Sequence, residues 1–131
     1  MIGLDTNILV RYLAQDDPVQ SPRATQIIER RLNDDQPGFI SLVTMAEMVW
    51  VLDKVYGVSD LEIAGAIEQV LQAETFLVQN EQEVFTAAMV LKTRRGSFSD
   101  GLIAALGQWG GCTSTLTFDK KAARIQGFEL A

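Results

Sequence analysis

Short apolar runs alternate along the chain with longer stretches in which apolar residues recur every three or four positions. Residues 2–4 read as a strand that stops at Asp5-Thr6-Asn7, residue types that cap helices. Ile8, Leu9, Tyr12 and Leu13 then mark one helical face. Asp16-Asp17-Pro18 breaks that helix. A second runs through Ala24, Ile27, Ile28 and Leu32 to a polar turn over 33–38. Residues 39–42 are expected to form a strand and 43–56 a helix closed by Gly57. Ser59-Asp60-Leu61-Glu62 has the form of a capping box and opens a further helix through Leu71. A third strand is expected at 76–78. Asn80 and Glu83 repeat the capping signature ahead of a helix over 84–95, and a loop at 96–99 leads to another over 100–109. Gly110-Gly111 ends it. A strand over 113–116, a short helix over 119–125 and a possible fifth strand over 128–130 complete the pattern.

Strands that alternate with helices in this way imply a parallel sheet covered by helices, the α/β class, with four to five strands. At 131 residues the chain is expected to be one domain over 1–131, and neither a repeat nor a linker interrupts it. No run approaches the roughly 20 apolar residues of a membrane span. The opening Met1-Ile2-Gly3-Leu4-Asp5 has no basic leader, so a cytoplasmic location is expected. The lone Cys112 excludes an internal disulfide and is expected to be a buried strand residue. The absence of histidine rules out histidine-based zinc sites, Ser-His-Asp triads and histidine general bases.

Candidate chemistry rests on four acids, Asp5, Glu47, Asp100 and Asp119, each at the end of a predicted strand or on a predicted helix. An open α/β sheet gathers such positions in a crevice beyond the carboxyl ends of its strands. A carboxylate cluster there is a hard-cation site for Mg²⁺ or Mn²⁺ and suits hydrolysis of phosphate esters. Each acid also has an ordinary alternative: Asp5 and Asp119 as caps, Glu47 as the return arm of a capping box from Thr44, Asp100 as a first-turn residue behind Ser99. Against those stands the apolar setting of Glu47 among Met45, Ala46, Met48, Val49 and Trp50, which predicts a partly buried carboxylate in need of a partner. The strands ended by Asp5 and Asp119 are expected to be central. Thr6, Asn7, Ser41, Thr44, Ser99, Thr115 and Thr117 supply polar neighbours. Asn7 and Thr117 are the foremost candidates to orient the ligands, with capping as their alternative.

A net charge of −6 argues against binding nucleic acid by general electrostatics. That argument weakens once the four acids are set aside as ligands, which leaves −2. Basic residues are also grouped, as Arg30-Arg31, as Lys92 with Arg94 and Arg95, and as Lys120-Lys121 with Arg124. Each group reads either as a solvated face or as a set of phosphate contacts.

Four blocks carry a family resemblance: Asp5-Thr6-Asn7 after a first strand, Glu47-Met48-Val49-Trp50 on an apolar helix, Ser99-Asp100-Gly101-Leu102-Ile103, and Thr117-Phe118-Asp119-Lys120. In this order, with 42, 53 and 19 residues between successive acids, the chain resembles PIN-domain proteins, in particular VapC-type toxins of toxin-antitoxin pairs. The resemblance spans nearly the whole chain. It implies a three-layer α/β/α sandwich and a metal-dependent endoribonuclease in which Asp5, Glu47, Asp100 and Asp119 surround Mg²⁺ or Mn²⁺. It also implies RNA as substrate, a homodimer, and an antitoxin that silences the active-site groove. Gly101 stands where the family more often has alanine, a change expected to loosen that helix by about 1 kcal/mol. Val49, Trp50, Leu52, Val55 and Tyr56 suit either a dimer face or ordinary core packing.

Other classes fit less well. A phosphoacceptor receiver domain needs adjacent acids after the first strand, where only Asp5 stands, and a haloacid-dehalogenase-like phosphatase needs Asp-x-Asp in place of Asp5-Thr6-Asn7. A catalytically silent PIN-like scaffold has no need of all four acids.

Overall fold

In a computed structural model that describes residues 1–131, pairs of α-helices separate the first four of five strands: β1 (Ile2–Gly3), α1 (Thr6–Ala14), α2 (Gln20–Gln26), β2 (Gly38–Ile40), α3 (Leu42–Lys54), α4 (Asp60–Gln72), β3 (Phe76–Val78), α5 (Glu81–Lys92), α6 (Phe98–Trp109), β4 (Thr115–Thr117) and β5 (Phe128–Leu130). Every strand pairing is parallel, as α/β alternation requires. The ladders join β1, β2 and β3 in that order, with Gly38 opposite both Ile2 and Phe76, and join β4 to β5 separately. The strands therefore pair as three and two. By hydrogen bonding β1 is an edge strand, not the central one expected, and β2 takes the middle.

The backbone gathers into two compact units, residues 1–59 with 69–79, and residues 60–68 with 80–131. In the first, α1 packs on α2 and α3. Leu9, Met45 and Met48 are fully buried, and Leu4 closes over Gly38, where any added Cβ would meet Leu4 and Leu32. Burying each such side chain contributes about 1.5–3 kcal/mol. On α3 the buried set is Thr44, Met45, Met48, Val49 and Leu52. Val43, Glu47, Trp50 and Lys54 follow the opposite, exposed face at helical spacing. Val49 and Leu52 are thus core, whereas Trp50 and Val55 stand 58% and 66% exposed.

One polar cluster ties the end of α1 to residues beyond α3. Arg11 pairs with Asp16 at 3.0 Å, and the Tyr56 hydroxyl donates to the same carboxylate at 2.7 Å. The Tyr56 hydrogen bond, then Arg11, holds the Asp16 carboxyl below its ordinary range. A depressed folded-state pKa contributes stability above the unfolded carboxylate range and loses it as pH falls through the folded value. Acid titration of the urea midpoint is therefore expected to fall more steeply for wild type than for Asp16→Asn. Coincident curves would show that the cluster does not couple protonation to folding.

In the second unit α5 packs on α6. Gly101 faces α5 closely: a Cβ added to it would stand 3.2 Å from the Ala87 Cα and 3.1 Å from the Val90 Cβ. Its lower helix propensity is thus set against the close approach it allows. Cys112 is exposed, contrary to the strand expected there. Gly111 adopts φ +93° and accepts the left-handed turn at the end of α6, and the Cys112 N–H reaches back to the Gly107 carbonyl at 2.9 Å, as in a Schellman ending. That turn uses the residues that would have begun the strand, so β4 starts at Thr115. The helix expected over 119–125 is a single 3-10 turn, Ala122–Arg124. No helix is long and apolar enough to cross a membrane.

Candidate metal-binding site

Local chain chemistry puts each acid where it stands. Asp5 is the N-cap of α1, with extended backbone (φ −83°, ψ 159°) and Oδ1 accepting the Thr6 N–H at 2.9 Å. Capping alone would account for it, but the next side chain adds something a cap does not need. Thr6 is 4% exposed, and its hydroxyl donates a hydrogen bond to Oε1 of Glu47, 41 residues away on α3. One buried threonine thus holds two carboxylates, one through its main chain and one through its side chain. The other oxygen of each has no partner within the protein.

Glu47 itself is exposed, contrary to the partial burial expected from its apolar neighbours. The reason is helical geometry: Met45, Met48 and Val49 turn to the buried face of α3, while Glu47 shares the exposed face with Val43 and Trp50. Glu47 also has no part in a capping box. The cap of α3 is Ser41, whose Oγ accepts the Thr44 N–H at 3.2 Å.

In the second unit Ser97 caps α6 by accepting the Asp100 N–H at 3.1 Å, which fixes Asp100 in the first turn with exposed Ser99 beside it. A carboxylate there also benefits from the positive end of the helix dipole. Asp119 follows β4. Its N–H donates to Thr117 Oγ1 at 3.0 Å, and its own Oδ1 accepts the Lys121 N–H at 2.8 Å. Thr117 therefore orients the main chain at Asp119.

Asn7 lies exposed beside a groove of about 200 Å³ between α1 and α2, lined also by Ile8, Arg11 and Arg23. Thr6, not Asn7, makes the hydrogen bonds to Asp5 and Glu47. The signal available in the sequence was position: Thr6 is the first residue of α1, directly after an acid.

Within either unit, no three His, Cys, Asp or Glu side chains gather into a metal-holding group. What the first unit provides is an adjacent carboxylate pair, all oxygen and anionic, which is the donor chemistry Mg²⁺ and Mn²⁺ take. Thr6 keeps both members in place without neutralising either. This donor set fits a divalent cation and excludes no coordination by further acids.

In comparison with known families, the model of the PIN domain aligns with residues 2–127. Among curated proteins none matches the chain.

Proposed function

The chain belongs to the PIN-domain family, and on that premise we propose that it is a metal-dependent endoribonuclease, the toxin of a toxin-antitoxin pair. PIN domains are generally nucleases, hydrolases that use divalent metal ions. The observation that carries the reading here is the buried Thr6 hydroxyl on Glu47 beside the Asp5 cap. A threonine that serves only a helix end has no reason to fix a second carboxylate 41 residues away.

Asp5, Glu47, Asp100 and Asp119 are the residues that would hold Mg²⁺ or Mn²⁺. Bound there, the cation supplies charge stabilisation at the scissile phosphate and lowers the pKa of a coordinated water. The protein's own contribution is positional. Thr6 sets the first carboxylate pair, Ser97 sets Asp100 through its N–H, and Thr117 with the Lys121 N–H sets the turn that carries Asp119. Groups held this way need no reorganisation when charge develops.

RNA is the substrate in this reading, the location is the cytoplasm, and two partners complete it. A homodimer draws support from Val43, Trp50 and Val55, exposed apolar side chains of α3 and its end. A cognate antitoxin protein would occlude the active-site groove. A catalytically silent scaffold is the competing reading, and nothing about Thr6 favours it.

The test is cleavage of structured and single-stranded RNAs by purified protein in Mn²⁺, in Mg²⁺ and in EDTA, with Asp100→Asn prepared identically. Discrete cuts that need metal and are absent from the variant are expected. Equal cutting by the variant, or none by antitoxin-free wild type, would leave the silent scaffold as the better account.

A further inference from the structure

β4 runs into a turn that leaves two large apolar side chains in water. Phe118 is 91% exposed, the most exposed large apolar side chain of the protein, and Leu116, two residues before it, is 67% exposed. The turn is nonetheless well fixed. The Asp119 N–H is held by Thr117, the Asp119 carboxylate by the Lys121 N–H at 2.8 Å, and the Asp119 carbonyl by the Ala123 N–H at 3.0 Å. A phenylalanine ring displayed in water on a rigid turn gains nothing for folding, since its burial value is forfeited.

The charges around it are one-sided. Between Thr115 and Ile125 there are three cations, Lys120, Lys121 and Arg124, against the single acid Asp119, in a chain whose net charge is −6. None of the three is in an ion pair. Glu129, on the paired strand, lies across the ladder from Leu116 and accepts the Ser114 hydroxyl at 2.9 Å. Two apolar side chains make a patch far smaller than the roughly 800 Å² that a stable protein interface buries per partner. Lysine is moreover depleted in such interfaces.

An exposed aromatic face beside unpaired lysines is the combination that binds single-stranded nucleic acid: bases stack on the ring and cations meet the backbone. Stacking on neighbouring pairs hides the faces of bases within a duplex, so the ring can take only a base that is free of the helix. We infer that Phe118, with Lys120 and Lys121, is the binding surface for an unpaired nucleotide of the RNA, so that the protein selects single-stranded or looped sites. This rests on the ribonuclease reading above. Consecutive Cα atoms lie about 3.8 Å apart, so a base on Phe118 belongs to a nucleotide close to the phosphate that Asp119 serves.

The experiment is binding in EDTA, where no metal-dependent cutting intervenes, of a short single-stranded RNA carrying one 2-aminopurine. A hairpin with the same nucleotides paired serves for comparison. Wild type is expected to quench the probe and to prefer the single strand. Phe118→Ala should weaken binding about tenfold or more, the usual cost of one lost base stack. Phe118→Trp should retain it. Lys120→Gln with Lys121→Gln should flatten the dependence of log K on log salt by about 0.7 per lysine.

Affinity unchanged in Phe118→Ala, equal binding of the hairpin, or no binding by wild type overturns the inference. So does a change of mass by light scattering in Phe118→Ala, which would make the ring a protein interface. The urea midpoint should stay at the wild-type value, because the ring is not packed. Cleavage in Mn²⁺, run alongside, separates the two ideas. Metal-dependent cutting with Phe118-independent binding removes only this surface, whereas Phe118-dependent binding without cutting removes only the ribonuclease reading.

Discussion

Replacing Asp5 by asparagine is expected to abolish metal-dependent RNA cleavage while leaving the protein as stable as wild type. The two halves of that expectation have separate causes. Asparagine caps helices as well as aspartate does, so its side-chain oxygen can still accept the Thr6 N–H that Asp5 now accepts at 2.9 Å. The cap of α1 survives and the urea midpoint should not move. Asparagine brings no negative charge, however, and a cation site that loses one carboxylate loses both affinity and the means to steady charge in the transition state. A loss of several kcal/mol there corresponds to roughly a thousandfold or more in rate.

A second readout does not depend on turnover. Calorimetric titration with Mn²⁺ should show heat with wild type and none at the same concentrations with Asp5→Asn. Thr6→Val is the graded companion. It keeps the main-chain bond to Asp5 and deletes the hydroxyl that holds Glu47, so cation affinity should fall about 10–100-fold, the usual cost of losing a group that orients a ligand. If Asp5→Asn cuts RNA and binds Mn²⁺ as wild type does, Asp5 is a cap and nothing more.

Much of this arrangement could be read from the chain because local rules and global architecture agree. Asp5-Thr6-Asn7 ends a strand and starts a helix by capping chemistry alone, and β3 and β5 fall where short apolar runs between turn signals put them. The failures have physical reasons. The apolar neighbours of Glu47 point to partial burial, but on the helix Met45, Met48 and Val49 face away from it: Met48 is 0% exposed while Glu47 is open to solvent. Cys112 was expected in a strand because Thr113 to Leu116 is a β-prone run. The ending of α6 through Gly111 instead draws Cys112 back onto the helix by one hydrogen bond. Helix endings are set by glycine and by carbonyls seeking donors, and a propensity window does not see either. The contact from Thr6 to Glu47 spans 41 residues and no local pattern encodes it. At Gly101 helix propensity is only half of the matter, because a Cβ there would press on Ala87 and Val90 of α5.

Phe98→Ala is expected to destabilise the protein by about 3–5 kcal/mol, the range for truncating a fully buried aromatic side chain. Phe98 is the first residue of α6, immediately after the Ser97 cap, and is 2% exposed. A helix start is normally polar and open to water. Here the ring anchors it in the core, and no other residue of that turn except Gly101 and Leu102 is buried. Natural domains have only about 5–15 kcal/mol in hand, so the variant should lie near the edge of folding, with its urea midpoint displaced accordingly. The contrast with Phe118→Ala, the same substitution at a ring 91% exposed, makes the measurement internal to one protein. The first should move the midpoint and the second should not. Cleavage should fall in Phe98→Ala even at temperatures where it remains folded, because Asp100 is carried by the turn that Phe98 anchors and a small misplacement of a catalytic group is expensive in rate. A midpoint within about 1 kcal/mol of wild type would mean that the first turn of α6 is held by its Ser97 cap and not by its core contact.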